Sequence, residues 1–215
     1  ENSLPEHLHL AYLPKPGLIR LRLDGMHHDK KFLSQDIDLH FAQLSQIIGE
    51  NVLHLNDAEP QEILLEHLNR LSLTVSTAES CTGGNIAHLI TSIAGSSSAF
   101  MGSIVAYSND VKHRLLGVKN ETLEQHGAVS IPTVEQMAEG ACKNIGTDCS
   151  IVTSGIAGPT GGTPDKPVGT VCIAVKSPLG IVSRTYRFPG DRSRVIERAS
   201  TTAIIMLIEQ LKRLN

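Results

Sequence analysis

The 215-residue sequence predicts an α/β fold, a three-layer sandwich built on a mixed sheet, with a small α+β module ahead of it. Three observations predict this. From residue 61 onward, short apolar runs rich in β-branched residues alternate with stretches of helical period. Near the C-terminus two strand-like runs are joined by Pro178-Leu179-Gly180, which adds an antiparallel hairpin to an otherwise crossover-connected sheet. The chain is 40% hydrophobic but only 3% aromatic, with no Trp, so its core is aliphatic and suits helices packed on a largely parallel sheet.

Taken in order, Leu8, Leu10 and Tyr12 alternate with His7, His9 and Ala11, and Ile19, Leu21 and Leu23 alternate with Arg20 and Arg22. Pro14-Lys15-Pro16-Gly17 separates them, so 7–23 reads as a β-hairpin. A helix capped by Ser34 runs to Ile48, with Ile37, Phe41, Leu44 and Ile48 on one face and Gly49 as its stop. Val52–Leu55 reads as a short strand. These elements form a thin module over residues 1–55, too small to bury much surface alone. Asn56-Asp57-Ala58-Glu59-Pro60 then marks a boundary, and a second domain over 56–215 opens with a helix from Gln61 to about Arg70.

In that domain Leu73–Thr77 is a buried strand that ends at small polar residues and two glycines, followed at once by a helix over 85–93. Ser103–Tyr107 is the next strand, and Ser108-Asn109-Asp110 caps a helix that carries Lys112 and stops near Gly117. A short helix over 121–125 closes at Gly127, and Pro132 begins a longer one to Lys143. Cys149–Thr153 is a strand that runs into a glycine-rich loop. Strands over 168–175 and 181–187 form the hairpin, and a final helix covers 192–211.

Composition excludes several classes. The net charge of −3, without a dense Lys/Arg block, argues against a phosphate-backbone binder, and the scarcity of aromatics argues against base-stacking platforms. The four Cys lack metal-type spacing and read as reduced thiols of a cytoplasmic protein. No apolar run reaches the length of a membrane span. Of the ten His, seven fall in the first third, where they read as solvated or packing side chains rather than a metal site. Because the sequence starts at Glu1, it reads as part of a longer protein.

Chemistry concentrates in three strand-end loops, 78–84, 107–112 and 154–162, where open α/β sheets bind ligands. Ser80, beside the first N–H groups of a helix, has the position of an acyl-transfer nucleophile, and equally that of a helix cap. No His reaches these loops, so Lys112 is the base, provided burial and nearby cations such as Arg192 lower its pKa, at about 1.36 kcal/mol per unit. Cys81 is a rival nucleophile, or a buried structural thiol. The loop 155–162 has four glycines but matches neither a Walker loop nor Gly-x-Gly-x-x-Gly; it is either a set of backbone donors or a plain turn. Arg192 either clamps an anion or pairs with Asp191.

Read together, these blocks carry a resemblance. Thr77-Ala78-Glu79-Ser80-Cys81-Thr82-Gly83-Gly84, Tyr107-Ser108-Asn109 with Lys112, Gly127-Ala128-Val129-Ser130, Ser154-Gly155-Ile156-Ala157-Gly158-Pro159 with Gly161-Gly162, Lys166-Pro167-Val168-Gly169-Thr170-Val171 and Phe188-Pro189-Gly190-Asp191-Arg192 occur in that order. The region 57–215 closely resembles the C-terminal domain of the CinA family of competence-damage-inducible proteins, which includes PncC-like nicotinamide-nucleotide amidases. Residues 1–55 resemble the latter part of that family's KH-type middle domain.

The resemblance implies hydrolysis of the carboxamide of nicotinamide mononucleotide (NMN) to nicotinate mononucleotide and ammonia, with no cofactor and no metal. It implies Ser80 as nucleophile, Lys112 as base and Tyr107 as their companion. Donors near Gly83 and Gly84, with Glu79 and Thr82 beside them, are expected at the reacting amide. Ser154, Gly155, Gly158, Gly161, Gly162 and Arg192 are expected around the ribose phosphate. A homodimer is implied, as is an N-terminal CinA domain in a longer protein; neither membrane nor nucleic acid is implied as a partner. Two other readings compete: a nucleotide-binding regulatory module without turnover, and a metal-dependent pyrophosphatase, for which Glu79 and Asp191 are the only obvious acids near the motif loops.

Overall fold

The computed structural model describes residues 4–15, 17–49 and 52–214. The chain divides into two compact units, Glu1–Asp57 and Ala58–Asn215.

In the first unit, β1 (Leu8–Lys15) and β2 (Leu18–Gly25) pair antiparallel, with Leu10 opposite Leu23 and Tyr12 opposite Leu21. Pro16, within the expected turn, lies outside the described residues. Helix α1 (Lys30–Ile48) starts earlier than the sequence suggested. The Asp29 carboxylate accepts from the N–H groups of Lys31 and Phe32, so Asp29 is the cap and Ser34 sits inside the helix. Ile37, Phe41, Leu44 and Ile48 do share its half-buried face. The expected strand at Val52–Leu55 does not form: the backbone there is irregular, and Val52 N–H bonds back to the Gly49 carbonyl at 3.1 Å, a helix-end contact. His7 and His40 both engage Asp36, at 2.8 and 3.4 Å.

The second unit is a three-layer α/β sandwich. Its five strands are β3 (Val75–Glu79), β4 (Phe100–Val105), β5 (Cys149–Gly155), β6 (Thr170–Ser177) and β7 (Gly180–Arg187), ordered β4-β3-β5-β6-β7. Strand β3 is parallel to both β4 and β5, while β5–β6 and β6–β7 are antiparallel. Strands β3 and β6 are buried along nearly their whole length, whereas edge strand β4 alternates half-buried and exposed residues. Helices α4 (Asn109–Leu116), α5 (Asn120–His126) and α6 (Ile131–Ile145) form one outer layer. Helices α2 (Pro60–Leu71), α3 (Asn85–Thr91) and α7 (Arg192–Lys212) form the other.

Under α6 the core is made of small aliphatic residues, among them Ala78, Ala106, Val134, Met137, Ala138, Val152 and Ala174. That smallness brings α4 very close to α6. A Cβ on Gly140 would stand 1.9 Å from the Leu116 carbonyl oxygen, so the two helices meet backbone to backbone. Strand β4 begins three residues before its expected start and ends at Val105. A 3-10 turn at Ser96–Ser98 feeds it, and Ala106 N–H closes on the Glu79 carbonyl at 2.8 Å. Tyr107 is thereby released into the loop above the sheet.

Candidate active site

The parallel strands β3 and β4 and the neighbouring β5 deliver three loops to one end of the sheet, and a cavity of about 240 Å³ opens between them. Its wall includes Ser80 and Cys81 from the first loop, Tyr107, Asn109 and Lys112 from the second, and Ser154, Gly155 and Ala157 from the third. Ala128, Val129 and Arg192 complete it.

Ser108 caps α4, its hydroxyl accepting from Val111 N–H at 3.2 Å, and this sets Lys112 one turn into the helix, facing the sheet. Lys112 is 1% exposed and Ser80 8%. The Lys112 ammonium donates to Ser80 Oγ at 3.1 Å and to the Ala106 carbonyl at 2.8 Å. Burial holds the lysine below its ordinary pKa, opposed only by Cys81. The sequence assigned part of that depression to Arg192; the structure assigns it to desolvation. A buried lysine whose neutral form is favoured by desolvation, hydrogen-bonded to a serine hydroxyl, is an arrangement able to serve as a nucleophile–base pair. In the neutral form the contact reverses, with Ser80 O–H donating to the amine lone pair.

Cys81 is not the alternative nucleophile. Burial first, and then the neighbouring Glu79 charge, push its thiol up to about 12, so it stays protonated and unreactive at neutral pH. Ser154 Oγ donates to the Ala128 carbonyl at 2.7 Å, fixing loop 127–130 against β5 while leaving its oxygen able to accept from a ligand.

Arg192 opens α7. Its guanidinium donates to the Gly158 carbonyl at 2.9 Å and to Tyr107 Oη at 3.2 Å. Asp191 does not pair with it; that carboxylate caps α7, accepting from Arg194 N–H and Ser193 Oγ, which hold it below the usual carboxylate range. Arg192 therefore has no carboxylate partner among the described residues and keeps donor capacity for an anion. Tyr107, 63% exposed, forms the outer wall.

Several expected contacts are absent. Glu79 is fully buried and lies outside the cavity wall, as does Thr82, whose hydroxyl donates to Glu79 at 2.7 Å. Gly83 N–H bonds to the Ser80 carbonyl and Gly84 N–H to Glu79, so neither is free to hold an oxyanion. Gly158 contributes its carbonyl to Arg192, while Gly161 and Gly162 face solvent away from the wall. Gly162 has a packing reason: a Cβ there would stand 2.7 Å from Val168 N. Asn109, Ala128, Val129 and Ala157 line the cavity without having been singled out as functional residues. Asn109 had a signal, its place between Tyr107 and Lys112; Ala128, Val129 and Ala157 had one only in lying within the family's motif blocks.

Comparison with known proteins agrees with this architecture. Residues 57–211 match the CinA C-terminal domain. A CinA-like protein of Flavobacterium psychrophilum is 40% identical over 212 residues, covering 98% of this chain and 51% of that protein. One from Fervidobacterium nodosum is 48% identical over 175 residues, 81% of this chain and 43% of that protein. The chain thus spans about half the length of the curated relatives it matches. Among solved structures, the competence/damage-inducible protein CihA of Agrobacterium tumefaciens superposes with a TM-score of 0.68 at 40% identity, covering 74% of this chain and 99% of that one. The competence damage-inducible protein A of Klebsiella pneumoniae gives 0.70 at 32%, covering 74% and 100%. The chain belongs to the CinA family through its C-terminal domain.

Proposed function

We propose that the second unit is an amidohydrolase that cleaves the carboxamide of NMN, giving nicotinate mononucleotide and ammonia. The observation that carries this reading is the buried Lys112 Nζ 3.1 Å from Ser80 Oγ, facing a cavity whose rim holds an arginine with no carboxylate partner among the described residues. Ser80 Oγ attacks the carboxamide carbon as neutral Lys112 takes its proton. The tetrahedral intermediate collapses when the Lys112 ammonium returns that proton to the leaving nitrogen, which departs as ammonia and leaves a nicotinoyl ester on Ser80. Water, deprotonated by Lys112, then attacks the ester and releases the acid and the serine.

Since Gly83 and Gly84 are engaged elsewhere, the oxyanion is assigned to the N–H groups that follow the nucleophile. Thr82 N–H has no partner among the described residues, and Cys81 N–H meets only its own sulfur. Ala128, Val129 and Ala157 offer an apolar wall to the pyridine ring, and Arg192 takes the phosphate. The test is ammonia release from NMN by the parent protein and by Ser80→Ala. Binding without turnover would instead support a regulatory module.

A further inference from the structure

Glu79 is 0% exposed and adjacent in sequence to Ser80, yet the proposed reaction gives it no task. A buried carboxylate is costly unless its lone pairs are met. Here they are met five times. Oε2 accepts from Thr82 Oγ1 at 2.7 Å and from the N–H groups of Gly84 and Ile86, both at 3.0 Å. Oε1 accepts from Ala87 N–H at 2.9 Å and from Thr77 Oγ1 at 3.3 Å. Three of these donors are the otherwise orphaned N–H groups at the start of α3.

The consequence lies in loop 80–84. Ser80 N–H is tied to the Thr153 carbonyl at 3.0 Å, and Thr82 Oγ1 meets both Glu79 and Thr153 Oγ1, each at 2.7 Å. The loop is thus pinned to β5 at Ser80 and to Glu79 and β5 at Thr82, two residues further on, so Ser80 is itself one of the fixed points. By absorbing the helix-start donors, Glu79 fixes where α3 begins and which N–H groups are left after the nucleophile.

We propose that Glu79 is a positioning residue for the Ser80 nucleophile: its buried carboxylate, through Thr82 and the first turn of α3, holds the loop in the geometry that the reaction needs, without touching substrate. This rests on the Ser80–Lys112 reading of the site. Gln is a poor replacement, because its amide nitrogen would oppose N–H donors where Glu79 accepts from both oxygens. Asp keeps both acceptors on a shorter arm.

The experiment uses the full chain with Glu79→Gln, Glu79→Asp and Thr82→Val, measuring kcat and KM for NMN, the melting temperature, and the rate at which a fluorophosphonate labels Ser80. A misplacement near 1 Å costs about 100-fold in rate. Folded Glu79→Gln is expected to lose about 100-fold in kcat, with KM within about twofold and labelling slowed in parallel. Asp should recover at least about tenfold of that loss, and Thr82→Val, which keeps shape and removes the hydroxyl link, should lose about tenfold in kcat alone. Should Glu79→Gln fail to fold, Thr82→Val decides the matter. A rise in KM matching the fall in kcat, or an unchanged Thr82→Val, overturns the inference. If the parent releases no ammonia, the amidase reading has failed, and the labelling rates alone decide this one. A parent that is not labelled at Ser80 overturns it as well, since there is then no activated serine to position.

Discussion

Replacing Lys112 by Met separates what the lysine does for chemistry from what it costs the fold. The side chain is 1% exposed and its amine has two partners, the Ala106 carbonyl at 2.8 Å and Ser80 Oγ at 3.1 Å. Methionine fills a similar volume without a charge to desolvate. Replacing buried ionic groups by well-packed apolar ones is commonly worth about 1–4 kcal/mol. Against this, the Ala106 carbonyl loses a donor, which costs about 1–3 kcal/mol. The two nearly cancel, leaving a gain of about 0.5 kcal/mol, or about 1–2 °C in melting temperature for a unit of this size. Activity should fall at least about 100-fold, since the base is gone.

The sign with pH follows from linkage. Burial lowers the folded-state pKa of Lys112, so the unfolded chain binds this proton more tightly. Parent stability therefore rises as pH climbs from the folded pKa to the ordinary lysine value, while the Met variant lacks that slope. The variant's advantage should be largest at neutral pH and shrink in alkali. Circular-dichroism melts across pH, beside ammonia assays, read both quantities. A variant melting more than about 4 °C below the parent at neutral pH would refute the reasoning, because the buried amine would then be a net stabiliser.

Three further outcomes are expected. Gly140→Ala drives a Cβ against the Leu116 carbonyl oxygen and should destabilise the unit by about 3 kcal/mol in denaturant titration, with a loss of kcat because α4 carries Lys112. Arg192→Lys gives up the planar fork and should raise KM for NMN about tenfold with kcat nearly unchanged, as steady-state kinetics would show. The rate profile kcat/KM against pH should rise on a limb whose midpoint lies below the ordinary lysine pKa, because Lys112 must be neutral to accept the Ser80 proton and burial favours that form; Lys112→Met should abolish the limb.

Much of the fold was legible because each element carried its own signal. Ser108 before α4 and the glycines at 117 and 127 mark ends that local chemistry fixes. What misled was competition between local options. Ser34 is a competent cap, but Asp29 reaches two donors a turn earlier, and Val52–Leu55 has strand character yet takes up irregular backbone. At the site, Ser80, Tyr107, Lys112, Ser154, Gly155 and Arg192 were legible from strand-end position together with family pattern, and the structure brings them to one cavity. The oxyanion donors were not. Which N–H groups are free around Ser80 depends on where the Glu79 carboxylate turns, and it turns to the start of α3 rather than to the reacting amide. Ala128 and Val129 reach the wall because Ser154 Oγ ties the Ala128 carbonyl to β5, a contact between residues 26 apart in the chain.

The central claim is that Ser80 and Lys112 together hydrolyse an amide. Its most direct test is mass spectrometry of the parent and Lys112→Met proteins quenched during turnover of NMN, with ammonia measured in the same samples. The account predicts ammonia release and a nicotinoyl-nucleotide ester on Ser80 in the parent, and neither in the variant. Ammonia released at the parental rate by Ser80→Ala, or a covalent adduct on any other residue, would contradict it.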